Sequence, residues 1–231
     1  ACEKLLALIK GKNADCIVCG LKQTSGNIWA PAFDKDYSDL ASFKCDFIYW
    51  INTELLSSPV NKIYKRGLIT ELYPENMSFG EDLVFVLNYL KHCNRISFTQ
   101  EPLYQHEVYN SVSLTHSFSP ARFSNLEDIQ KAILDFADDK NKINPRIYDK
   151  YVKDALHLTR MWYKNKNVPY IRKKEIIGEW LKQSYIRKLK ISDYQLHWKD
   201  RMLLHCLHMS CFIGINLIVN GKEYINSLSK E

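Results

Sequence analysis

The sequence lacks the glycine-rich motifs by which many enzymes hold nucleotides or build a nucleophile. It contains no GxGxxG, which argues against a dinucleotide-binding fingerprint, and no GxxxxGK[ST], which argues against a P-loop. It also lacks Gly-x-Ser-x-Gly, the nucleophile elbow of α/β-hydrolases. Other enzymes, binding modules and assembly partners stay open.

Metal-binding pairs of cysteine and histidine are equally scarce. The seven cysteines are an odd number scattered through the chain, a pattern typical of reduced thiols. Cys16 and Cys19 form a CxxC inside a β-branched apolar run, where an extended strand would point the two thiols to opposite faces. His205 and His208 share a helix face, but no acid or thiol is placed to complete a site. We therefore expect these histidines to pack in a core or an interface.

No apolar run is long enough to cross a bilayer. The longest candidate, 203–219, is interrupted by His205, His208, Ser210 and Asn216. A spanning helix needs about 20 largely apolar residues. Two interpretations remain for this segment, packing within a helical domain or lying on a membrane surface, and the first is favoured.

The net charge of +6 is unevenly distributed. Residues 1–120 have a net charge of −2 and residues 121–231 have +8, and residues 160–190 alone carry ten basic and two acidic side chains. Such a patch is either a solvated helix face or a site for an anionic partner, either membrane lipid, a phosphorylated substrate or nucleic acid. Nucleic acid is the least favoured, because the helices contain no recognised reading motif.

Helix-like and strand-like patterns alternate through the first half of the chain, which predicts an α/β layer. The predicted elements are a helix at 2–11, a buried strand at 15–21, a hairpin around 24–33, a helix at 38–55, a buried helix at 83–90 and a strand at 96–99. After Ser119-Pro120 the pattern becomes helical, over 121–139, 145–165, 170–184 and 194–219. We therefore predict an α/β domain at 1–118 and a basic all-α domain at 119–231.

Two adjacent acids, Glu81 and Asp82, precede the apolar run of "MSFGEDLVFVLNYL". Acids in a first helical turn are favoured by the helix dipole, and Ser78 could cap the helix. The same position, at the edge of a loop and on a buried helix, also suits a positioned general base. Residue chemistry alone leaves these two interpretations evenly balanced.

Two further stretches carry polar groups that could belong to a site. His106 lies between two tyrosines in "LYQHEVYNSVSLT", a strip rich in hydrogen-bonding side chains, although a lone histidine is more often a loop hydrogen-bonder than a ligand. Asp34 and Asp36 form a DxD of the kind that can hold a divalent cation, but they follow a hairpin rather than end a buried strand. We do not expect them to bind metal.

Several segments together resemble bacterial family 2 glycosyltransferases of the GT-A fold, which build surface polysaccharides. The matching stretches are "EKLLALIKGKNADCIVCG", "VNKIYKRGLI" and "MSFGEDLVFVLNYLKHCNRISFTQEPLYQHEVYNSVSLT", in the family's order and spacing. The Glu-Asp-x-x-Phe helix start and the later Leu-Tyr-x-His and Ser-x-Ser carry the match, which covers 1–118. The resemblance implies a partial GT-A-like mixed sheet with flanking helices.

The resemblance also implies inverting sugar transfer from a nucleotide-sugar to a saccharide or lipid-linked acceptor. By analogy Asp82 is the general base, and Glu81, Tyr104 and Ser111 bind the acceptor. Asn61, Lys62 and His106 would line the donor side, and His106 is also a candidate metal ligand. The resemblance therefore implies seven candidate site residues, which are Asn61, Lys62, Glu81, Asp82, Tyr104, His106 and Ser111.

The chain departs from the family pattern at its beginning. Complete members start with nucleotide-binding βαβ units that end in an Asp-x-Asp, which binds Mg or Mn and the diphosphate. That half is missing here, so we expect an acceptor-side portion of a longer enzyme, inactive alone. An incomplete sheet would expose an edge, which favours a partner subunit or a homo-oligomer.

In this family, C-terminal helical extensions often dock on the cytoplasmic face of the membrane. We therefore expect a cytoplasmic protein that lies peripherally on an anionic membrane surface. The alternative function is a non-catalytic binding or assembly module that uses its basic helical domain to hold an anionic membrane or another anionic partner.

Overall fold

The computed structural model describes residues 2–107 and 119–228, with side chains described as far as Gly221. Two compact units contain them, one within Ala1–Leu114 and Ile129–Ile147 and one within Thr115–Asp128 and Tyr148–Glu231. The domain boundary that we predict at residue 118 lies outside the described residues, so it stays a prediction.

The described residues form seven strands and ten α-helices. The strands are β1 (Cys16–Val18), β2 (Leu21–Gln23), β3 (Ile28–Trp29), β4 (Lys35–Tyr37), β5 (Lys62–Tyr64), β6 (Ile96–Phe98) and β7 (Tyr104–His106). The helices are α1 (Cys2–Gly11), α2 (Leu40–Cys45), α3 (Phe47–Asn52), α4 (Glu81–Leu90), α5 (Ala121–Phe136), α6 (Asp139–Lys142), α7 (Asp149–Lys164), α8 (Tyr170–Gln183), α9 (Trp198–His208) and α10 (Phe212–Leu228). Short 3₁₀ turns join some of them. A mixed α/β part followed by helices confirms the predicted fold class.

The first unit contains two small sheets. The larger has the order β4-β6-β1-β5, with β1 parallel to β6 and antiparallel to β5. The smaller has the order β3-β2-β7, and its antiparallel β2–β3 pair confirms the predicted hairpin. Gly20 links β1 to β2, and a Cβ there would lie 2.6 Å from Ala30 Cβ. A glycine is therefore needed where the chain passes from one sheet to the other.

An aromatic cluster fills the core beside the larger sheet. The Trp50 ring stacks on Phe98 with centroids 3.6 Å apart, and Phe43 and Phe47 pack against Phe136. The sequence predicts one helix over 38–55, but the chain leaves helical geometry at Asp46, between α2 and α3. The Asp46 carboxylate accepts a hydrogen bond from the Tyr37 hydroxyl, 2.8 Å away, which ties this break to β4.

A half-buried carboxylate organises the second unit. Glu127 accepts hydrogen bonds from the Tyr151 hydroxyl, from the Trp180 indole at 2.7 Å and from the Tyr185 backbone N–H at 3.2 Å. Burial raises the pKa of Glu127, and those three donors counteract the rise. Because each donor comes from a different position along the chain, the carboxylate holds these segments together.

The sequence predicts one continuous helix over about 194–219, and this prediction is wrong because the chain forms two helices there. α9 ends at His208, Ser210 adopts a left-handed φ of 54°, and α10 begins at Phe212. A Cβ on Gly214 would lie 2.7 Å from the Cys206 sulfur, so glycine allows α10 to lie close against α9. Within the described part of the chain, no helix combines the length and apolar character needed to cross a bilayer.

Candidate active site

The predicted acidic pair lies in the first turn of α4. Gly80 precedes the helix with a left-handed φ of 78°, and a Cβ there would overlap the Ile129 side chain. Leu83 and Val86 are among the buried residues that fix the helix in the core. Glu81 and Asp82 therefore project from a rigid element at the end of a loop, which is the placement that a catalytic carboxylate needs.

Asp82 is a half-buried carboxylate whose surroundings favour its protonated form. Burial is the largest influence and raises its pKa, and the neighbouring charge of Glu81 raises it further. The positive charge of Lys62 acts in the opposite direction but does not cancel the rise. A carboxylate with a raised pKa is a better proton acceptor than an ordinary aspartate, as a general base requires.

Glu81 stands beside Asp82 with hydrogen-bonding capacity to spare. Its oxygen Oε2 is buried and has no hydrogen-bond partner among the residues that the structure describes. Tyr73, from the loop before α4, also interacts with both acids. Burial raises the pKa of its phenol, and the charges of Asp82 and Glu81 raise this pKa further. The Tyr73 ring stacks on Phe85 of α4 with centroids 4.5 Å apart, which keeps it beside the pair.

Lys62 of β5 is a buried cation whose charge acts on Asp82. Its ammonium donates to the carbonyl oxygen of Leu55 at 2.6 Å, to that of Ser58, and to Asn61 Oδ1 at 2.7 Å. Burial lowers the pKa of Lys62 to about 7, against the attraction of Cys16, Cys19 and Asp82. The lysine therefore couples the charge of Asp82 to the loop that contains Leu55 and Ser58.

Asn61 completes the attachment of that loop to the sheet. It is fully buried, and its amide nitrogen donates to the Cys19 carbonyl at 2.9 Å and to the Leu55 carbonyl at 3.3 Å. Asn61 and Lys62 are thus engaged within the protein, and they position the loop from behind. Their predicted contact with a donor stays a prediction.

The same loop lines a cavity of about 230 Å³. His106 of β7 and Trp29 of β3 line it together with the loop residues Glu54, Leu55 and Ser58. Glu54 has a left-handed φ of 64°, unusual for a residue with a side chain, and its carboxylate accepts a hydrogen bond from Ser57. Strained backbone of this kind concentrates at ligand-binding positions.

The structure links some of the predicted site residues and leaves others apart. Glu81, Asp82 and Lys62 interact electrostatically, and Lys62 and Asn61 fasten the loop that lines the His106 cavity. Tyr104 pairs with Leu21 and packs against the cluster around Leu5, and the described lining of the His106 cavity does not include it. Ser111 lies outside the described residues.

The described residues do not fit a metal centre. Nowhere among them do three histidine, cysteine, aspartate or glutamate side chains converge. Asp34 accepts a hydrogen bond from the Gln100 backbone N–H at 2.7 Å, and Asp36 pairs with Lys12 at 2.6 Å. Both acids of the DxD therefore have partners within the protein, and the metal role of His106 stays a prediction.

Sequence reasoning missed Tyr73 and Glu54. The tyrosine stands in "ELYPENMSFG", and only its position before the Gly-Glu-Asp turn hinted that it would lie beside the acids. Glu54 had no signal at all, because a left-handed backbone is expected at glycine or asparagine rather than glutamate.

Comparison by sequence finds no protein-family model and no curated protein that matches the chain. By structure, it is similar to S. aureus TarS 1–349 in complex with UDP-GlcNAc, with a TM-score of 0.63 and 18% identity, over 96% of this chain and 63% of that one. It is also similar to the UDP complex of TarS 1–349, with a TM-score of 0.61 and 17% identity, over 96% and 62%. This chain therefore spans less than two thirds of those structures.

TarS is a glycosyltransferase of GT-A-like fold, and the likeness shows that this chain shares that fold. The predicted partial GT-A architecture is thereby confirmed. An identity of 18% shows the fold alone, and assignment to family 2 and the roles of individual residues stay predictions.

Proposed function

We propose that this chain forms the acceptor side of an inverting family 2 glycosyltransferase in which Asp82 is the general base. The observation that carries the proposal is the environment of Asp82, a half-buried carboxylate of raised pKa at the rigid start of α4. The GT-A-like fold supports sugar transfer as the reaction class.

In the proposed step Asp82 takes the proton from an acceptor hydroxyl as the hydroxyl oxygen attacks the anomeric carbon of the donor. A bond forms between that oxygen and the anomeric carbon, and the bond from this carbon to the diphosphate oxygen breaks. The electron pair leaves with the nucleoside diphosphate, and because the oxygen attacks from the opposite face, the configuration at the anomeric carbon inverts. Proton removal by a positioned base contributes about 10²–10⁴ in rate.

The remaining residues have supporting roles in the proposal. Glu81 offers its unpartnered oxygen to an acceptor hydroxyl, and we assign Tyr104 and Ser111 to the acceptor as well. The cavity lined by His106 belongs to the donor side, with Asn61 and Lys62 holding its loop.

The donor and the stereochemistry are tested together. The full-length protein is incubated with UDP-GlcNAc, the sugar nucleotide bound by TarS, and with candidate saccharide or lipid-linked acceptors, while UDP release is measured. NMR of the product then reports the anomeric configuration. UDP release with inversion supports the proposal, and a product that retains the donor's configuration would overturn it.

A second candidate function rests on the helical part of the chain. The exposed side chains of this part include large apolar ones, Trp198 at 59% and Met209 at 74% exposure, and residues 160–190 carry ten basic and two acidic side chains. We propose that this part holds an anionic membrane surface, where a lipid-linked acceptor would reside. Salt-sensitive partitioning of the protein onto anionic vesicles tests this, and equal partitioning onto neutral vesicles would contradict it.

A further inference from the structure

Helix α9 has two apolar faces. Its inner face consists of Leu203, Leu204 and Leu207, which are fully buried where α7 and α10 pack against the helix. Its outer face begins at Trp198 and continues one turn later at Met202, and these two side chains are 59% and 48% exposed. A helix at the surface of a globular protein normally has one apolar stripe, which faces the core. The outer stripe of α9 therefore needs a separate explanation.

The outer face forms a continuous stripe along the helix. Met209 follows α9 with helical backbone angles and is 74% exposed. At 3.6 residues per turn, Met202 and Met209 fall within about 40° of Trp198, whereas Leu207 falls on the opposite side of the helix. His205 lies in the same stripe and is also exposed. Three large apolar side chains thus point to solvent together, away from the face that packs.

Basic side chains flank this stripe. Lys199 and Arg201 are exposed on its two sides, and the Lys199 ammonium lies 5.3 Å from the centre of the Trp198 ring. The acid of α9 is Asp200, whose carboxylate forms an ion pair with Arg160 of α7. The charge that borders the stripe is therefore positive, which makes this face of the helix complementary to an anionic surface.

An apolar stripe with basic borders is the pattern of a helix that lies in the plane of a bilayer. Tryptophan is favoured at the boundary between headgroups and acyl chains, because its ring is apolar and its N–H is polar. Methionine side chains are flexible and adapt to irregular apolar surroundings. A second copy of this chain is a poorer partner for the stripe, since each copy has a net charge of +6 and the same basic borders.

We infer that α9 attaches this protein to an anionic phospholipid bilayer and lies in the plane of the membrane. Trp198, Met202 and Met209 enter the acyl region, and Lys199 and Arg201 contact the lipid phosphates. The inference rests on the second candidate function and names the element that makes the contact. It does not depend on sugar transfer.

Tryptophan emission tests directly whether α9 enters the bilayer. The full-length protein is titrated with phosphatidylglycerol vesicles, and phosphatidylcholine vesicles are the neutral reference. We expect the emission maximum to move to shorter wavelength with phosphatidylglycerol. The movement should disappear in Trp198→Phe, which keeps an apolar ring at this position and therefore still binds the vesicles. The matched control is Trp29→Phe, at another exposed tryptophan, and it should keep the movement.

Co-sedimentation with the same vesicles measures the contribution of the stripe. Met202→Gln with Met209→Gln introduces polar side chains of similar length that suit a helix, at unchanged net charge. We expect about tenfold weaker binding, because less apolar surface enters the bilayer. The control, Ile171→Gln with Leu217→Gln, changes side chains of similar exposure, 71% and 54%, on α8 and α10, and should lose less than about threefold. Circular dichroism melts report whether each variant keeps the fold.

Three results would reject the inference in different ways. An emission change that persists in Trp198→Phe, or equal losses in the glutamine variants and their control, would place the contact outside α9 while the second function survives. A protein that self-associates through Met202 and Met209, as judged by ultracentrifugation of the glutamine variant, and whose vesicle binding is unchanged in that variant would show that the stripe binds a second copy. No binding of the unchanged protein to phosphatidylglycerol would overturn both the inference and the second function.

Discussion

Asp15, just before β1, and Asp82, at the start of α4, are two partly buried aspartates in opposite surroundings. Asp15 accepts hydrogen bonds from Lys65 Nζ at 2.7 Å and from the backbone N–H groups of Asn94 and Arg95 at 2.8 and 3.0 Å. Burial alone would raise the pKa of Asp15, but these donors hold it below the ordinary value of 3.8. Around Asp82, burial and Glu81 prevail and the pKa is raised.

The difference shows how one residue type serves structure in one region and chemistry in another. Donors that surround a carboxylate stabilise its ionised form and bind it into the fold. A carboxylate that is buried beside a like charge gains proton affinity and keeps oxygens available for a substrate. Asp15 should therefore matter for stability, and Asp82 for catalysis.

The largest expected effect is on transfer by the Asp82→Asn variant. Asparagine cannot accept the acceptor's proton, so sugar transfer should fall on the order of 1,000-fold. The unfolding free energy should stay the same or rise slightly, because the replacement removes a charge that burial and Glu81 disfavour. Transfer assays and urea unfolding of the same preparations measure both.

Asp139→Asn is the matched control for that variant. Asp139 also lies in the first turn of a helix, but its side chain is fully exposed, so both transfer and stability should be unchanged. Transfer by Asp82→Asn at the wild-type rate would remove Asp82 from the mechanism and leave it as a helix-starting residue.

The next largest effect is expected for Lys62→Met. This variant sharpens the comparison of Asp82 with Asp15, because it removes the cation that opposes the rise in the pKa of Asp82. The carbonyls of Leu55 and Ser58 and the oxygen of Asn61 would lose a buried donor, at a cost of about 3 kcal/mol of unfolding free energy. Lys22→Met, on the exposed face of β2, is the control and should change stability by less than about 0.5 kcal/mol. Equal losses in both variants would show that the buried hydrogen bonds are unimportant.

Asp15→Asn should lower the unfolding free energy by about 2 kcal/mol at pH 7, because charge-assisted hydrogen bonds are lost. The folded-state pKa lies below the ordinary value of 3.8, so the stabilisation is fully present above that value and is lost as pH falls through the folded pKa. The gap between the variant and the wild type should therefore shrink below about pH 3.8 in urea unfolding experiments. A gap that is constant from pH 7 to pH 2 would show that ionisation of Asp15 contributes nothing.

The smallest effect is expected for Asp36→Asn. Asp36 pairs with Lys12 at 2.6 Å, but its side chain is 62% exposed, so the loss should be about 0.5 kcal/mol and should shrink in high salt. Thermal melts at low and high salt measure this. A loss as large as that of Asp15→Asn would break the distinction between a surrounded carboxylate and an exposed pair.

The sequence allowed prediction of the parts that depend on local pattern. The apolar run after Asp82 predicted a buried α4, and the Ser-Gly turn predicted the β2–β3 hairpin, because burial period and turn chemistry are local. The break at Ser210 was missed, since a left-handed serine carries no local signal.

The partners of Lys62 and Asp15 were beyond sequence reasoning. Lysine is usually exposed, and the carbonyls that surround Lys62 belong to a loop whose path depends on tertiary packing. The backbone donors to Asp15, from Asn94 and Arg95, stand 79 and 80 positions along the chain and reach it because β1 pairs with β6. The electrostatic contrast between the two aspartates therefore required the structure.

The most direct test of that contrast is an NMR titration of the two side-chain carboxyl carbons in the folded protein, assigned with the Asp15→Asn and Asp82→Asn variants. The account predicts that Asp15 titrates below 3.8 and Asp82 above it. If Asp82 titrates at or below the pKa of Asp15, its surroundings do not raise its proton affinity, and the assignment of Asp82 as the base loses its physical ground.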